Sequence, residues 1–87
     1  MKPELIRDRI LTALPGSEVE VRDTTGTGDH FEARVVSPVF ADKSMVDQHQ
    51  AVYAPLKDVL ETGELHALAL KTYSPEQWQK WIDRSKK

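Results

Sequence analysis

Apolar positions recur along this chain with two different periods. Leu5, Ile6, Ile10, Leu11 and Leu14 follow Pro3 at helical spacing, and Pro15-Gly16 ends the run. From Glu18 the period drops to two. Val19 and Val21 alternate with Glu18, Glu20 and Arg22, as in a half-buried strand. Thr24-Thr25-Gly26-Thr27-Gly28-Asp29 turns the chain. A second strand then runs from about His30 to Ser37, with Phe31, Ala33 and Val35 on one face. The two strands read as a hairpin.

Ser44 is placed as an N-cap, with Asp47 completing a weaker capping box. Met45, His49, Val52, Tyr53, Leu56, Val59 and Leu60 share one helical stripe, and Gly63 stops it. Between Glu64 and Thr72 the apolar run Leu65, Ala67, Leu68, Ala69 and Leu70 is short enough for a strand buried on both faces. Ser74-Pro75-Glu76-Gln77 opens a last helix with N-cap serine, first-turn proline and third-position glutamine, the strongest local signal in the chain. Trp78, Trp81 and Ile82 are expected to face inward from it. The order helix, strand, strand, helix, strand, helix predicts one small α+β domain over residues 1–87, with an ordered core from about 3 to 83 and a basic tail over 84–87.

Topology gives this order a chemical consequence. A helix connects strands two and three, so they should run parallel through a right-handed crossover, making a three-stranded mixed sheet. His30 opens strand two and His66 opens strand three. Their starts then lie at the same end of the sheet, about 5 Å apart between backbones. His49, in the second turn of the returning helix, belongs near the opposite end, on the order of 15–20 Å away. Singly, His66 reads as a packing residue, His30 as an exposed loop residue and His49 as structural. Pairing changes the reading of the first two. Imidazoles suit zinc, copper, iron and nickel, yet two ligands alone leave any of these under-coordinated.

Composition narrows the function classes. The chain has 87 residues, 39% hydrophobic and 30% charged, which fits one globular domain with a small core. Cysteine is absent, which excludes disulfides, thiolate zinc sites, cysteine nucleophiles and a self-contained cysteine-ligated iron–sulfur cluster. No apolar run approaches the roughly 20 residues that span a bilayer, and Glu4 and Asp8 interrupt any signal-like stretch. A cytoplasmic protein with no membrane partner is expected. The net charge is -2, with five basic groups against Glu76 and Asp83 after residue 70. GTGDHF lacks the third glycine of a dinucleotide fingerprint, and GxSxG, HExxH and P-loop patterns are missing. The chain does not read as an enzyme.

Several motifs in fixed order resemble the BolA family, in its IbaG-like branch. They are Gly28-Asp29-His30-Phe31, Val36-Ser37-Pro38-Val39-Phe40, Gln48-His49-Gln50-Ala51-Val52-Tyr53, Leu65-His66-Ala67-Leu68 and Tyr73-Ser74-Pro75-Glu76-Gln77-Trp78. The resemblance spans about Leu5 to Trp78 and implies a fold related to the type II KH domain. It also implies partnership with monothiol CGFS-type glutaredoxins and a shared [2Fe–2S] cluster, completed by the glutaredoxin's cysteine and glutathione and not held by the isolated chain. The family's third-strand ligand falls on His66, and the ligand of the loop before strand two falls on His30. The central-helix histidine, His49 here, is not the usual ligand.

Two departures matter. The family's glycine two residues after Phe40 is replaced by Asp42, and its arginine before His49 by Gln48. Both changes weaken the alternative reading, a DNA-binding transcriptional regulator of the BolA type, and no GxxG exists for KH-style clamping. A homodimer of the free chain and weak DNA binding complete the partner readings.

Overall fold

A computed structural model describes residues 2–26 and 30–85. Thr27, Gly28 and Asp29 of the hairpin loop, and Lys86 and Lys87 of the basic tail, lie outside the described residues.

Helix α1 (Pro3–Ala13) buries Ile6 and Ile10, and Leu14 just beyond its end joins them in the core. Leu5, on the edge of the expected stripe, is exposed instead. Strand β1 (Glu18–Asp23) pairs antiparallel with β2 (His30–Val36), Val21 lying opposite Ala33. Strand β2 pairs in parallel with β3 (Ala67–Tyr73), His30 lying opposite Ala67 and Val36 opposite Tyr73. The sheet order β1-β2-β3 is the three-stranded mixed sheet of the expected α+β domain. Phe31, Ala33 and Val35 all face the core, as their alternation requires.

The returning connection differs from expectation. In place of one helix there are α2 (Met45–Tyr53), a 3₁₀ turn over Ala54–Leu56 and α3 (Lys57–Thr62). Pro55 causes the break, because it has no N–H to donate up the helix and its ring crowds the preceding turn. Val52, Leu56 and Val59 still reach the same core, so the apolar stripe survives the break. Met45, at its leading edge, is exposed. Gly63, at φ 82°, ends α3 in the left-handed region that glycine adopts without strain.

The third strand is also a correction. Only one of its faces is buried: Leu68, Leu70 and Thr72 turn toward the core, while Ala69 and Lys71 are exposed. A strand of a purely parallel sheet is covered on both sides, but this one is an edge of a mixed sheet. Helix α4 (Pro75–Ser85) begins with both halves of the predicted capping box. Ser74 Oγ accepts from the Gln77 N–H at 3.2 Å, and Gln77 Oε1 accepts from the Ser74 N–H at 2.8 Å. Its tryptophans do not both turn inward. Trp78 is half-buried, 5.2 Å from the Tyr73 ring, whereas Trp81 is 50% exposed.

Gln48 is the main polar group of the core, 1% exposed. Its Oε1 accepts from Thr72 Oγ1 at 2.8 Å, and its Nε2 donates to the Lys43 carbonyl at 3.0 Å and the Phe40 carbonyl at 3.3 Å. One buried amide thus ties α2 to β3 and to the segment before α2. Nearby, Asp42 takes φ 65°, a conformation aspartate tolerates better than most residues and one suited to the glycine expected there. Among the described residues no helix is long and apolar enough to cross a membrane.

Candidate functional site

Two histidines meet at the starting end of the parallel pair. The His30 and His66 rings have centroids 5.2 Å apart, with ring planes tilted by 57°. Thirty-five intervening residues are folded back by the crossover that the sequence order demanded. His30 is the first residue of β2. His66 immediately precedes β3 rather than opening it, since the strand begins at Ala67.

The backbone at each histidine is set by its neighbours in the chain. The His30 carbonyl accepts from the Thr24 N–H at 3.0 Å and from Thr24 Oγ1 at 3.2 Å, which closes the hairpin around the loop. Asp23 Oδ1 accepts from the Gly26 N–H at 2.8 Å and the Thr25 N–H at 3.2 Å, so a local Asx-type turn fixes the loop's entry. On the other strand, fully buried Leu65 is the anchor: its N–H donates to the Val59 carbonyl at 3.0 Å. Tyr53 Oη donates to the Leu68 carbonyl at 3.2 Å and holds the beginning of β3 against α2. His66 lies between these two fixed points with its own surface exposed. A buried residue on one side and a strand on the other hold the His66 backbone at the rim.

The pair's geometry suits a shared metal. With metal–nitrogen bonds of about 2.0–2.1 Å, two imidazoles on one tetrahedral ion have ring centres about 5 Å apart. The observed centroid separation of 5.2 Å falls at that distance. Two ligands do not complete a site. Among the described residues no group of three or more histidines, cysteines and acids is placed to hold a metal ion. Glu32, two residues along β2 from His30, is committed elsewhere. Its carboxylate binds Lys71 at 3.3 Å and Arg22 at 3.4 Å, and the Lys71 hydrogen bond, then its charge, hold the carboxyl below its ordinary range.

His49 does not join the pair. Helix α2 runs against β3, with Gln48 bonded to Thr72 at one end and Tyr53 to Leu68 at the other. His49 therefore sits toward the Thr72 end, and its Nε2 is buried without a hydrogen-bond partner among the described residues. Asp29, in the motif beside His30, lies outside the described residues.

Sequence reading missed the face that continues from this pair. Arg34 stacks on the Trp78 ring at 4.4 Å and bonds Glu20 at 3.1 Å, next to the Glu32–Lys71–Arg22 group. The signal was present as the polar positions between Phe31, Ala33 and Val35.

Comparisons with known proteins agree on one relationship. The family described as BolA-like protein matches residues 10–77. The acid stress protein IbaG of Escherichia coli is 33% identical over 78 residues, covering 90% of this chain and 89% of that protein. A BolA homologue from Coxiella burnetii superposes with a TM-score of 0.76 at 34% identity, covering 91% of this chain and 97% of that one. Yeast Fra2 gives a TM-score of 0.74 at 32% identity, covering 98% and 91%.

Proposed function

The chain belongs to the BolA-like family, and from that membership we propose that it is a partner of a monothiol CGFS-type glutaredoxin, sharing a bridging [2Fe–2S] cluster in iron–sulfur trafficking or iron and redox regulation. One observation carries the reading: two imidazoles from distant parts of the sequence stand 5.2 Å apart at one end of the sheet. Such a cluster needs four ligands, two per iron and usually thiolates. The chain has no cysteine, and its two paired imidazoles match the needs of one iron, as in centres where two histidines replace two cysteines. The glutaredoxin cysteine and glutathione would serve the other.

When bound, the cluster supplies iron and a redox couple. The chain's own residues present His30 and His66 as neutral donors, held by the Thr24 and Leu65 contacts. Neutral imidazole in place of anionic thiolate raises the reduction potential. Protons compete with the metal for each imidazole, so cluster binding weakens on acidification.

Anaerobic reconstitution tests this directly. The isolated chain should acquire no stoichiometric cluster. With glutaredoxin and glutathione, a complex with visible circular dichroism should form, and His66→Ala should abolish it while His49→Ala should not. A stoichiometric cluster on the chain alone, or a spectrum indifferent to both His30→Ala and His66→Ala, would defeat the proposal.

A further inference from the structure

Register and parity set His30, Glu32 and Arg34 of β2 beside Ala67, Ala69, Lys71 and Tyr73 of β3 on the sheet face turned away from the core. From β1, Glu20 and Arg22 join them opposite Arg34 and Glu32. A cavity of about 180 Å³ opens on this face and is closed at its far end by Trp78 and Trp81 of α4. His30 and the aromatic end therefore share one sheet face, about 20 Å long at roughly 3.3 Å per strand residue, with the His66 ring 5.2 Å from His30 at its edge.

We propose that this face is the docking surface for the glutaredoxin partner, and that it receives a segment carrying a carboxylate beside an apolar side chain. The inference rests on the functional reading above and adds the surface and its chemistry. Three lines support it. The face carries three cations, Arg22, Arg34 and Lys71, against two carboxylates, although the chain as a whole is acidic. Its ion pairs are exposed at Glu20, Arg22 and Lys71, and such pairs exchange partners at little cost. The Arg34 fork is half used: Nη2 binds Glu20, while Nη1 is buried with no acceptor among the described residues. Nη1 itself is out of an incoming group's reach, so a partner's carboxylate pairs instead with the exposed Arg22 and Lys71. Trp81, half exposed on the same face, offers the apolar anchor, and tryptophan and arginine are the residues that most often carry interface affinity. Ala67 and Ala69, opposite His30 and Glu32, keep the floor low between His30 and the charged centre.

The test is titration of a glutaredoxin whose active-site cysteine is replaced by serine, so that no cluster forms, against wild type, Trp81→Ala, Lys71→Glu and His66→Ala. Trp81 and Lys71 are exposed, and both variants should melt within a few degrees of wild type. Each should weaken apo binding about tenfold, while His66→Ala should leave it within about twofold. Cluster dichroism at saturating wild-type glutaredoxin should show the reverse order, lost in His66→Ala and kept in Trp81→Ala. Wild-type binding that both face variants leave unchanged would overturn the docking surface alone. No binding by the wild-type chain, with or without cluster, would overturn the functional reading as well. A single-stranded oligonucleotide titrated in parallel should not saturate; saturable binding that Trp81→Ala removes would assign the face to nucleic acid instead.

Discussion

The two ends of β3 contrast in almost every physical respect. At its finish, Thr72 bonds Gln48, Ser74 caps α4, and buried Phe40 packs beside an amide whose polar atoms are all engaged. At its start, His66 stands exposed between a buried leucine and the strand, facing another imidazole. One end is locked by buried polar contacts, and the other sets two imidazoles side by side at the rim. A buried polar group must be satisfied within the protein, which locks its surroundings. A rim histidine needs only a correct position, and its neighbours supply that. Removing the side chains at one end should therefore cost stability, and at the other end function.

The largest stability effect should come from Phe40→Ala. This side chain is 1% exposed, and truncating a buried phenylalanine costs about 3–5 kcal/mol. Thermal unfolding should fall by well over 10 °C at about 4–8 °C per kcal/mol for a domain of this size. A drop of only a few degrees would show that the finishing end is less tightly packed than its burial indicates. Gln48→Ala should follow at about 1–3 kcal/mol, because Thr72 Oγ1 and the Lys43 and Phe40 carbonyls lose a shared partner away from water. Gln48→Glu should be at least as damaging, since it keeps the shape but removes the donors and brings in a buried charge. Urea denaturation with an unchanged m-value would confirm that the native state, not the unfolded one, is affected.

His66→Ala should sharpen the contrast from the other side. Melting should stay within about 0.5 kcal/mol of wild type, as for most exposed substitutions, while the proposed cluster signal disappears. A large stability loss would mean that the imidazole pair is a packing contact after all.

How far these two ends were legible in the sequence follows from what kind of signal each leaves. The imidazole pair was legible because it depends on element order alone: a helix between two strands makes them parallel, and parallel strands share a starting end. The capping box at Ser74 and Gln77 was legible because its partners are three residues apart. Gln48 was not, for its partners lie five, eight and twenty-four residues away and only packing unites them. Pro55 carried the helix break openly, but the apolar stripe ran through it and hid the signal. Trp81 was expected inside because spacing says which side chains share a helix face, not how much of that face the sheet covers. Its exposure is a property of the short contact between α4 and β3. The same reasoning lowers the expected cost of Trp78→Ala below that of a fully buried tryptophan.

The smallest effect should lie between the two ends, on the charged face that joins them. Lys71 and Arg22 hold the Glu32 carboxyl below its ordinary value, and Arg9, 2.6 Å away, does the same for Asp58. A carboxyl with a lowered folded-state pKa contributes stability that is present above its unfolded value and disappears as pH falls through the folded value. The melting temperature should thus be flat near neutrality and gain a downward component only below about pH 4.5, where an unperturbed glutamate begins to protonate. Asp58 is exposed and Glu32 is half-buried with its ion-pair partners exposed, so added salt should shrink the component further. A Glu32→Gln, Asp58→Asn double variant should show a shallower decline between pH 5 and 3 than wild type and should converge with it only once pH has fallen below both folded-state values. If the two decline in parallel, the ion pairs of Glu32 and Asp58 contribute nothing to stability.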